Sequence, residues 1–172
     1  MAEITGLLCQ IITGNVSGAG TDGRVFAGIG GREFCLDSKA DDYEQGDWRE
    51  YVLGDIASGP GTGFTPVQDK NWNDPRKGFP LNTTNLNKSP VYIRFEPDGD
   101  DDNWNLKSAY ILVYTGQFTF FTAYTAPTEF DNLWLGNRSG KILYLTNEWG
   151  RDGMGLLKIG RALAKSIKSS KK

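Results

Sequence analysis

Acidic residues cluster at three places in the chain, and each cluster adjoins a predicted strand. The clusters are Gly20-Thr21-Asp22, Asp37 with Asp41 and Asp42, and Asp98 with Asp100-Asp101-Asp102-Asn103. Calcium prefers six to eight oxygen ligands, carboxylates and backbone carbonyls, on flexible loops. Carboxylates that lie close together repel each other unless a cation neutralises them. The clusters therefore indicate a calcium site, and the alternative is that they are solvated turns, since aspartate is a common turn residue.

The chain contains no histidine and only two cysteines. Histidine is the commonest general base and a member of every Ser-His-Asp or Cys-His arrangement, so these catalytic groups are excluded. Two cysteines cannot supply the four ligands of a zinc site. A glycosidase needs only a pair of carboxylates, but no pair stands apart from the calcium-type loops. We therefore expect that the chain is not an enzyme by itself.

Charge is unevenly distributed along the chain. Seven of the 19 basic residues and one of the 21 acidic residues lie after residue 150. This tail carries a net charge of +6, whereas residues 1–150 carry −8. Because the body is acidic and only the tail is basic, we do not expect nucleic-acid binding.

Short segments with alternating apolar residues predict an all-β fold. The predicted strands are residues 4–13, 24–30, 33–36, 48–53, 91–95, 109–114, 117–125 and 141–146. The pair Gly30-Gly31 indicates a hairpin, and Trp104 is interpreted as a core residue. Short strands at this spacing are typical of an antiparallel sandwich, here eight-stranded. Five prolines interrupt residues 54–90, which predicts a long surface insertion in a domain that covers residues 1–147.

Residues 148–172 are predicted to form a basic amphipathic tail. Leu156, Ile159, Leu163 and Ile167 recur at helical spacing, which predicts a short helix over residues 156–168. The basic residues of its other face are Lys158, Arg161, Lys165 and Lys168. The helix could contact anionic lipid, pack on the sandwich or on a partner, or serve only as a solubilising tail.

The order of several motifs resembles the signature of PLAT domains. The matching segments are Thr13-Gly14, Ala19-Gly20-Thr21-Asp22, Phe34-Cys35-Leu36-Asp37, Asp41-Asp42-Tyr43, Asp102-Asn103-Trp104 and Trp134-Leu135-Gly136. The resemblance covers about residues 4–147, and the Ala-Gly-Thr-Asp segment is its most specific part. PLAT domains are β-sandwiches of lipoxygenases, polycystins and clostridial alpha-toxin, so the resemblance implies the same architecture.

The resemblance also implies calcium as a cofactor. The implied metal ligands are Gly20, Thr21 and Asp22, then Asp37, Ala40, Asp41 and Asp42, and finally Asp102 and Asn103. Calcium-binding members commonly carry an acidic residue where this chain has Gly18, so one carboxylate of that pattern is missing.

Members of this family dock on membranes through aromatic residues near the calcium loops. Tyr43, Trp48 and Trp72 are the corresponding candidates for membrane or partner contact. The implied function is calcium-assisted docking on an anionic membrane surface or on a protein partner. The alternative is a secreted membrane-active toxin or defence protein that uses the basic tail.

Two further expectations concern the cysteines and the location of the protein. Cys9 is predicted to face the core and Cys35 the opposite side, so we expect two free thiols. The first residues lack the basic start of a signal peptide, and no run approaches the roughly 18 apolar residues of a membrane span. A cytoplasmic or peripheral membrane location is the default expectation.

Overall fold

The computed structural model describes residues 1–56, 64–116, 120–126 and 133–147. These residues contain eleven strands joined by turns and loops. They are β1 (Gly6–Thr13), β2 (Arg24–Ile29), β3 (Arg32–Cys35), β4 (Trp48–Gly54), β5 (Thr65–Pro66), β6 (Tyr92–Glu96), β7 (Asn103–Tyr114), β8 (Phe120–Thr125), β9 (Leu133–Gly136), β10 (Ile142–Tyr144) and β11 (Thr146–Asn147). Two short strands, β5 and β9, were not predicted, and the predicted strand 141–146 is divided into β10 and β11. Strand β7 begins at Asn103, six residues before its predicted start. The predicted helix over residues 156–168 lies outside the described residues.

The strands form two packed sheets, which confirms the predicted all-β sandwich. The larger sheet has the order β11-β8-β7-β1-β4-β5, and β9 also pairs with β7. The smaller sheet has the order β10-β6-β2-β3. Neighbouring strands are antiparallel except for β4 and β5, which pair in parallel. None of the described residues forms a helix long and apolar enough to cross a bilayer.

Strand β1 lies at the centre of the larger sheet, between β4 and β7. Its alternate residues point to opposite faces, so Leu7, Cys9 and Ile11 enter the core between the sheets. Leu8 belongs to a separate apolar cluster on the outer face. Cys9 is buried and Cys35 is half-buried, and both are free thiols as predicted.

Trp104 occupies the middle of the core and has no solvent exposure, as predicted. Its ring centroid lies 5.4 Å from that of Tyr43 and 5.6 Å from that of Phe95. The indole Nε1 donates a hydrogen bond to the Thr13 hydroxyl at 3.1 Å, which satisfies a buried polar group. This residue therefore joins the start of β7 to the end of β1.

The predicted hairpin between β2 and β3 is confirmed. Gly30 and Gly31 have φ angles of +61° and +81°, a left-handed conformation that glycine adopts without steric cost. The tight turn aligns the two strands so that Ile29 pairs with Arg32. It places the other end of β3, with Asp37 two residues beyond, at the opposite end of the sandwich.

The insertion contributes to the core, so its prediction as a purely external loop is wrong. Leu81 is fully buried, and Val67 and Leu86 are nearly so. Within the insertion β5 extends the edge of the larger sheet, while Asn73 accepts a hydrogen bond from the Cys35 amide at 2.9 Å. The segment thus covers edge strands of both sheets, which would otherwise present unpaired backbone groups.

Candidate metal site

Three loops meet at the end of the sandwich where β1 finishes. The loop between β1 and β2 contacts the loop between β3 and β4, where the Gly46 amide donates to the Gly14 carbonyl at 2.9 Å. The loop between β6 and β7 joins them through Thr21 and Asp102. The first two loops enclose a cleft of about 220 Å³. Its lining includes six of the nine predicted metal ligands: Thr21, Asp22, Asp37, Ala40, Asp41 and Asp42.

Three carboxylates converge here, two of them in the lining of the cleft (Asp22 and Asp41) and the third, Glu44, next to it. One carboxylate oxygen each from Asp22, Asp41 and Glu44 lies within 4.8 Å of the others, and all three residues are exposed. Among the described residues, no lysine or arginine forms an ion pair with any of them. The nearby Arg24, which lines the cleft, pairs with Glu96 at 3.4 Å instead. The three negative charges are therefore unneutralised within the described part of the chain.

The donor set of this cleft fits calcium. Calcium binds oxygen at 2.3–2.6 Å, so two ligand oxygens on opposite sides of one ion are separated by about 5 Å at most. The spacing of up to 4.8 Å between the Asp22, Asp41 and Glu44 oxygens satisfies this limit. An exposed cleft also leaves room for water or an external oxygen ligand, which calcium needs to reach its coordination number.

Asp37 brings a fourth carboxyl group to the cleft, at its β3 side. Burial raises the pKa of Asp37, and the negative charge of Asp42 raises it further. The side-chain amide of Gln68 donates to the Asp37 carboxylate at 2.8 Å, and this hydrogen bond lowers the pKa of Asp37 and opposes the effect of burial. Ala40 follows in the same loop, with its amide donating to the Ser38 hydroxyl at 3.0 Å.

The Asp42 carboxylate is engaged within the loop itself. It accepts hydrogen bonds from the Ser38 amide at 2.7 Å and from the Ser38 hydroxyl at 2.9 Å. Arg49 Nε lies 3.2 Å from Oδ1 of Asp42, and the same guanidinium donates to the Asp47 carboxylate at 2.7 Å and to the Asp41 carbonyl at 2.8 Å. Asp42 is buried, so these contacts hold the acidic loop in shape while Asp41 points outward.

Asp102 is likewise bound to its neighbours. Both of its carboxylate oxygens lie 2.8 Å from the Thr21 hydroxyl, and one accepts from the Asp98 amide at 2.8 Å. The Thr21 hydroxyl in turn accepts from the Gly23 amide at 2.8 Å. The side chains of Thr21 and Asp102 therefore tie two loops together behind the cleft.

The last two predicted ligands lie outside the lining of the cleft. Gly20 packs against the loop after β3, where an added Cβ would lie 3.3 Å from the Tyr43 carbonyl oxygen. Asn103 begins β7, and its amide donates to the Asp101 carbonyl at 2.8 Å. Gly20 thus adjoins the cleft from behind, whereas Asn103 is turned towards its own loop.

Glu44 is the site residue that sequence reasoning missed. It follows Tyr43, whose φ of +68° reverses the direction of the chain and brings Glu44 to Asp22 and Asp41. A left-handed tyrosine is rare, so no residue pattern predicts this turn. The available signal was only the continuation of the acidic run after Asp42.

The structure corrects the assignment of Tyr43 as a membrane contact. Its side chain is 2% exposed, packs on Trp104 and Tyr51, and donates a hydrogen bond to the Leu36 carbonyl. Trp48 and Trp72, in contrast, are 37% and 76% exposed. The basic contact candidates of the tail lie outside the described residues. They are Lys158, Arg161, Lys165 and Lys168.

Comparisons with known proteins support the fold and no more. No protein-family profile matches the chain, and no curated protein matches it. Among solved structures, the alpha-toxin of Clostridium absonum is 20% identical with a TM-score of 0.50, and the alpha-toxin of an avian strain of Clostridium perfringens is 18% identical with the same score. Each match covers 84% of this chain but only 32% of the toxin.

Coral 8R-lipoxygenase, described as activated by calcium through a C2-like domain, matches with 18% identity and a TM-score of 0.45. The match covers 83% of this chain and 17% of the lipoxygenase, and its TM-score is too low to support a conclusion. The chain spans about a third of the length of the toxins, and identities at this level report on architecture alone. The described residues therefore adopt a PLAT-like β-sandwich of the kind present in clostridial alpha-toxins.

Proposed function

We propose that the chain is a docking module that binds an anionic membrane surface with the help of calcium held in the cleft. The observation that carries the proposal is the convergence of Asp22, Asp41 and Glu44 without a cationic partner among the described residues. Calcium supplies the missing positive charge and accepts headgroup phosphate oxygens as its remaining ligands. The proposal assigns no catalytic step to the chain, in keeping with its lack of histidine.

The residues around the cleft would have two roles, binding the ion and holding the loops in place. Asp22, Asp41 and Glu44 would hold the ion, and Asp37 would add negative charge at its side. Asp42 and Arg49 hold the loop that presents Asp41. Trp48 begins the strand after this loop, so this exposed aromatic lies at the same end. Trp72 lies along β3 instead, since its carbonyl accepts from Arg32 at 3.3 Å. Tryptophan is favoured at membrane interfaces, so Trp48 is proposed to contact lipid beside the cleft and Trp72 farther from it.

Calorimetry and vesicle sedimentation test this function. The protein should bind calcium, and it should sediment with phosphatidylserine-containing vesicles at least tenfold more strongly in calcium than in EGTA. Asp41→Asn should weaken calcium binding at least tenfold. Asp100→Asn removes the same charge from an exposed position outside the cleft lining and serves as the matched control.

Two outcomes would contradict parts of the proposal. If calorimetry detects no calcium binding, the metal assignment is wrong. If calcium binds but the protein sediments with neither type of vesicle, with or without phosphatidylserine, the proposed membrane surface is wrong. A protein surface is then the remaining docking partner.

A further inference from the structure

The outer face of the larger sheet carries a continuous apolar row. Four side chains from adjacent strands lie side by side in register across β8, β7, β1 and β4. They are Ala123, Leu112, Leu8 and Val52. Ile56, Tyr110 and Tyr114 pack around this row in a cluster separate from the core. We call these residues the outer row and its surround.

An antiparallel sheet that faces water on one side normally alternates apolar and polar residues along each strand. β1 does not, because Leu7 and Leu8 are both apolar and point to opposite faces. The smaller sheet shows the usual solvent face. There Arg94 lies 4.1 Å over the Phe26 ring and binds Glu33 at 2.7 Å. The outer row thus has the composition of a covered face, yet the described residues provide no further strand or helix to cover it.

We propose that the chain's own tail, residues 156–168, packs as an amphipathic helix across the outer row. Its apolar residues Leu156, Ile159, Leu163 and Ile167 fall on one side of a helix, and its basic residues fall on the opposite side. Thirteen helical residues span about 20 Å, and the three strand spacings from β8 to β4 span about 15 Å. The stripe and the row therefore match in length and in chemistry.

The position where the described chain ends brings the tail to this face. Strand β11 ends at Asn147, which pairs with Tyr124, the neighbour of Ala123 in the outer row. The eight residues 148–155 reach at most about 27 Å when extended, which exceeds the width of the row. Tethering at this distance gives an effective concentration of the order of millimolar.

Charge favours the tail over a second copy of the protein. The tail carries +6 and the body −8, so they attract each other, whereas two bodies repel. The docked helix would turn its basic side outward, so docking conceals the apolar stripe and leaves the positive charge available. This inference does not depend on calcium binding.

Methyl NMR of the full-length protein in the absence of calcium tests the inference. Nuclear Overhauser effects should connect the Leu8 and Leu112 methyl groups with those of Leu163 and Ile159. Leu163→Asp should abolish them, shift the Leu8 and Leu112 signals and lower the Tm by roughly 4–8 °C. Arg161→Gln makes the same change of charge on the basic side and should leave the contacts in place. Both variants lie outside the sandwich, so neither disturbs its folding directly.

Three outcomes would overturn the inference. The first is the absence of these effects together with unchanged Leu8 and Leu112 signals in the Leu163→Asp protein. The second is contacts that disappear on dilution, which would identify a second copy as the occupant. The third is a change at Leu8 and Leu112 only after phosphatidylserine vesicles are added, which would make the outer row a membrane-binding face.

Discussion

The Thr21 hydroxyl lies 2.8 Å from both carboxylate oxygens of Asp102, which joins two loops that are 81 residues apart in the chain. The bond fixes the loop that carries Asp22 relative to the sandwich. It is charge-assisted and partly buried, conditions under which a hydrogen bond contributes more than its average amount. The contact therefore anchors Thr21, in the lining of the cleft, to Asp102 behind it.

Replacing Asp102 by alanine should lower the free energy of unfolding by about 1–3 kcal/mol, because the Thr21 hydroxyl and the Asp98 amide lose their acceptor. Urea denaturation measures this change. Asp100→Ala removes an exposed neighbouring carboxylate and should change the free energy by less than about 0.5 kcal/mol. Equal effects of the two substitutions would show that the bond to Thr21 adds no stability.

Asp42 should matter for stability even when calcium is absent. Asp42→Ala removes one of the two carboxylates that contact Arg49, with Asp47 remaining at 2.7 Å, and it removes the acceptor of two Ser38 donors. Leaving partly buried donors without their acceptor costs about 1–3 kcal/mol. Thermal melts in EGTA should therefore show a large decrease in Tm, whereas Glu44→Gln should melt like the parent in EGTA and lose the increase that calcium produces. A Glu44→Gln protein with an undiminished calcium response would remove Glu44 from the site.

Asp37 should give the free protein a distinct dependence on pH. Because burial raises its pKa in the folded state, the folded protein binds a proton more readily than the unfolded chain. Its contribution to stability is therefore favourable at low pH and is lost as pH rises from the ordinary aspartate pKa through the raised folded value. Urea titrations in EGTA from pH 3.5 to pH 7 should show this loss in the parent and not in Asp37→Asn. Calcium should cancel the loss at the upper end, since it neutralises the same cleft.

Arg32 should control the order of the insertion. Its guanidinium donates to five backbone carbonyls, those of Trp72, Asp74, Pro75, Lys77 and Phe79, at 2.9–3.4 Å. Arg32→Lys keeps the charge but loses the planar fork, so amide hydrogen exchange in residues 72–81 should accelerate at least tenfold. Arg24→Lys, at an exposed position of the neighbouring strand, is the control and should leave this exchange unchanged. Unaltered exchange in Arg32→Lys would show that the insertion is held by other contacts.

The sequence was sufficient for the parts of the fold that depend on local pattern. Strand β1 with Cys9 facing the core, the glycine pair of the β2–β3 turn and the core position of Trp104 are all confirmed. The same reasoning failed for the insertion, because a single buried residue such as Leu81 leaves no periodic signal. The position of the insertion depends on the packing of such residues against distant parts of the chain.

The sequence analysis named most of the acidic residues around the cleft, but it did not predict which contacts each carboxylate makes. The sequence pattern treats Asp41 and Asp42 alike, yet Ser38 and Arg49 contact the carboxylate of Asp42 and not that of Asp41. Glu44 was missed and Tyr43 misassigned for one shared reason, the left-handed backbone at Tyr43. That conformation is sustained by packing on Trp104, a contact between residues distant in the chain.

The ring of carbonyls around Arg32 has a consequence for the conformation of the insertion. A guanidinium carries its charge at every physiological pH and cannot be removed by a chelator, so it acts as a permanent internal cation where the cleft would use an exchangeable one. The segment around Trp72 therefore keeps its conformation whether or not calcium is present. Under the proposed function, calcium would change only the charge of the cleft, by neutralising Asp22, Asp41 and Glu44.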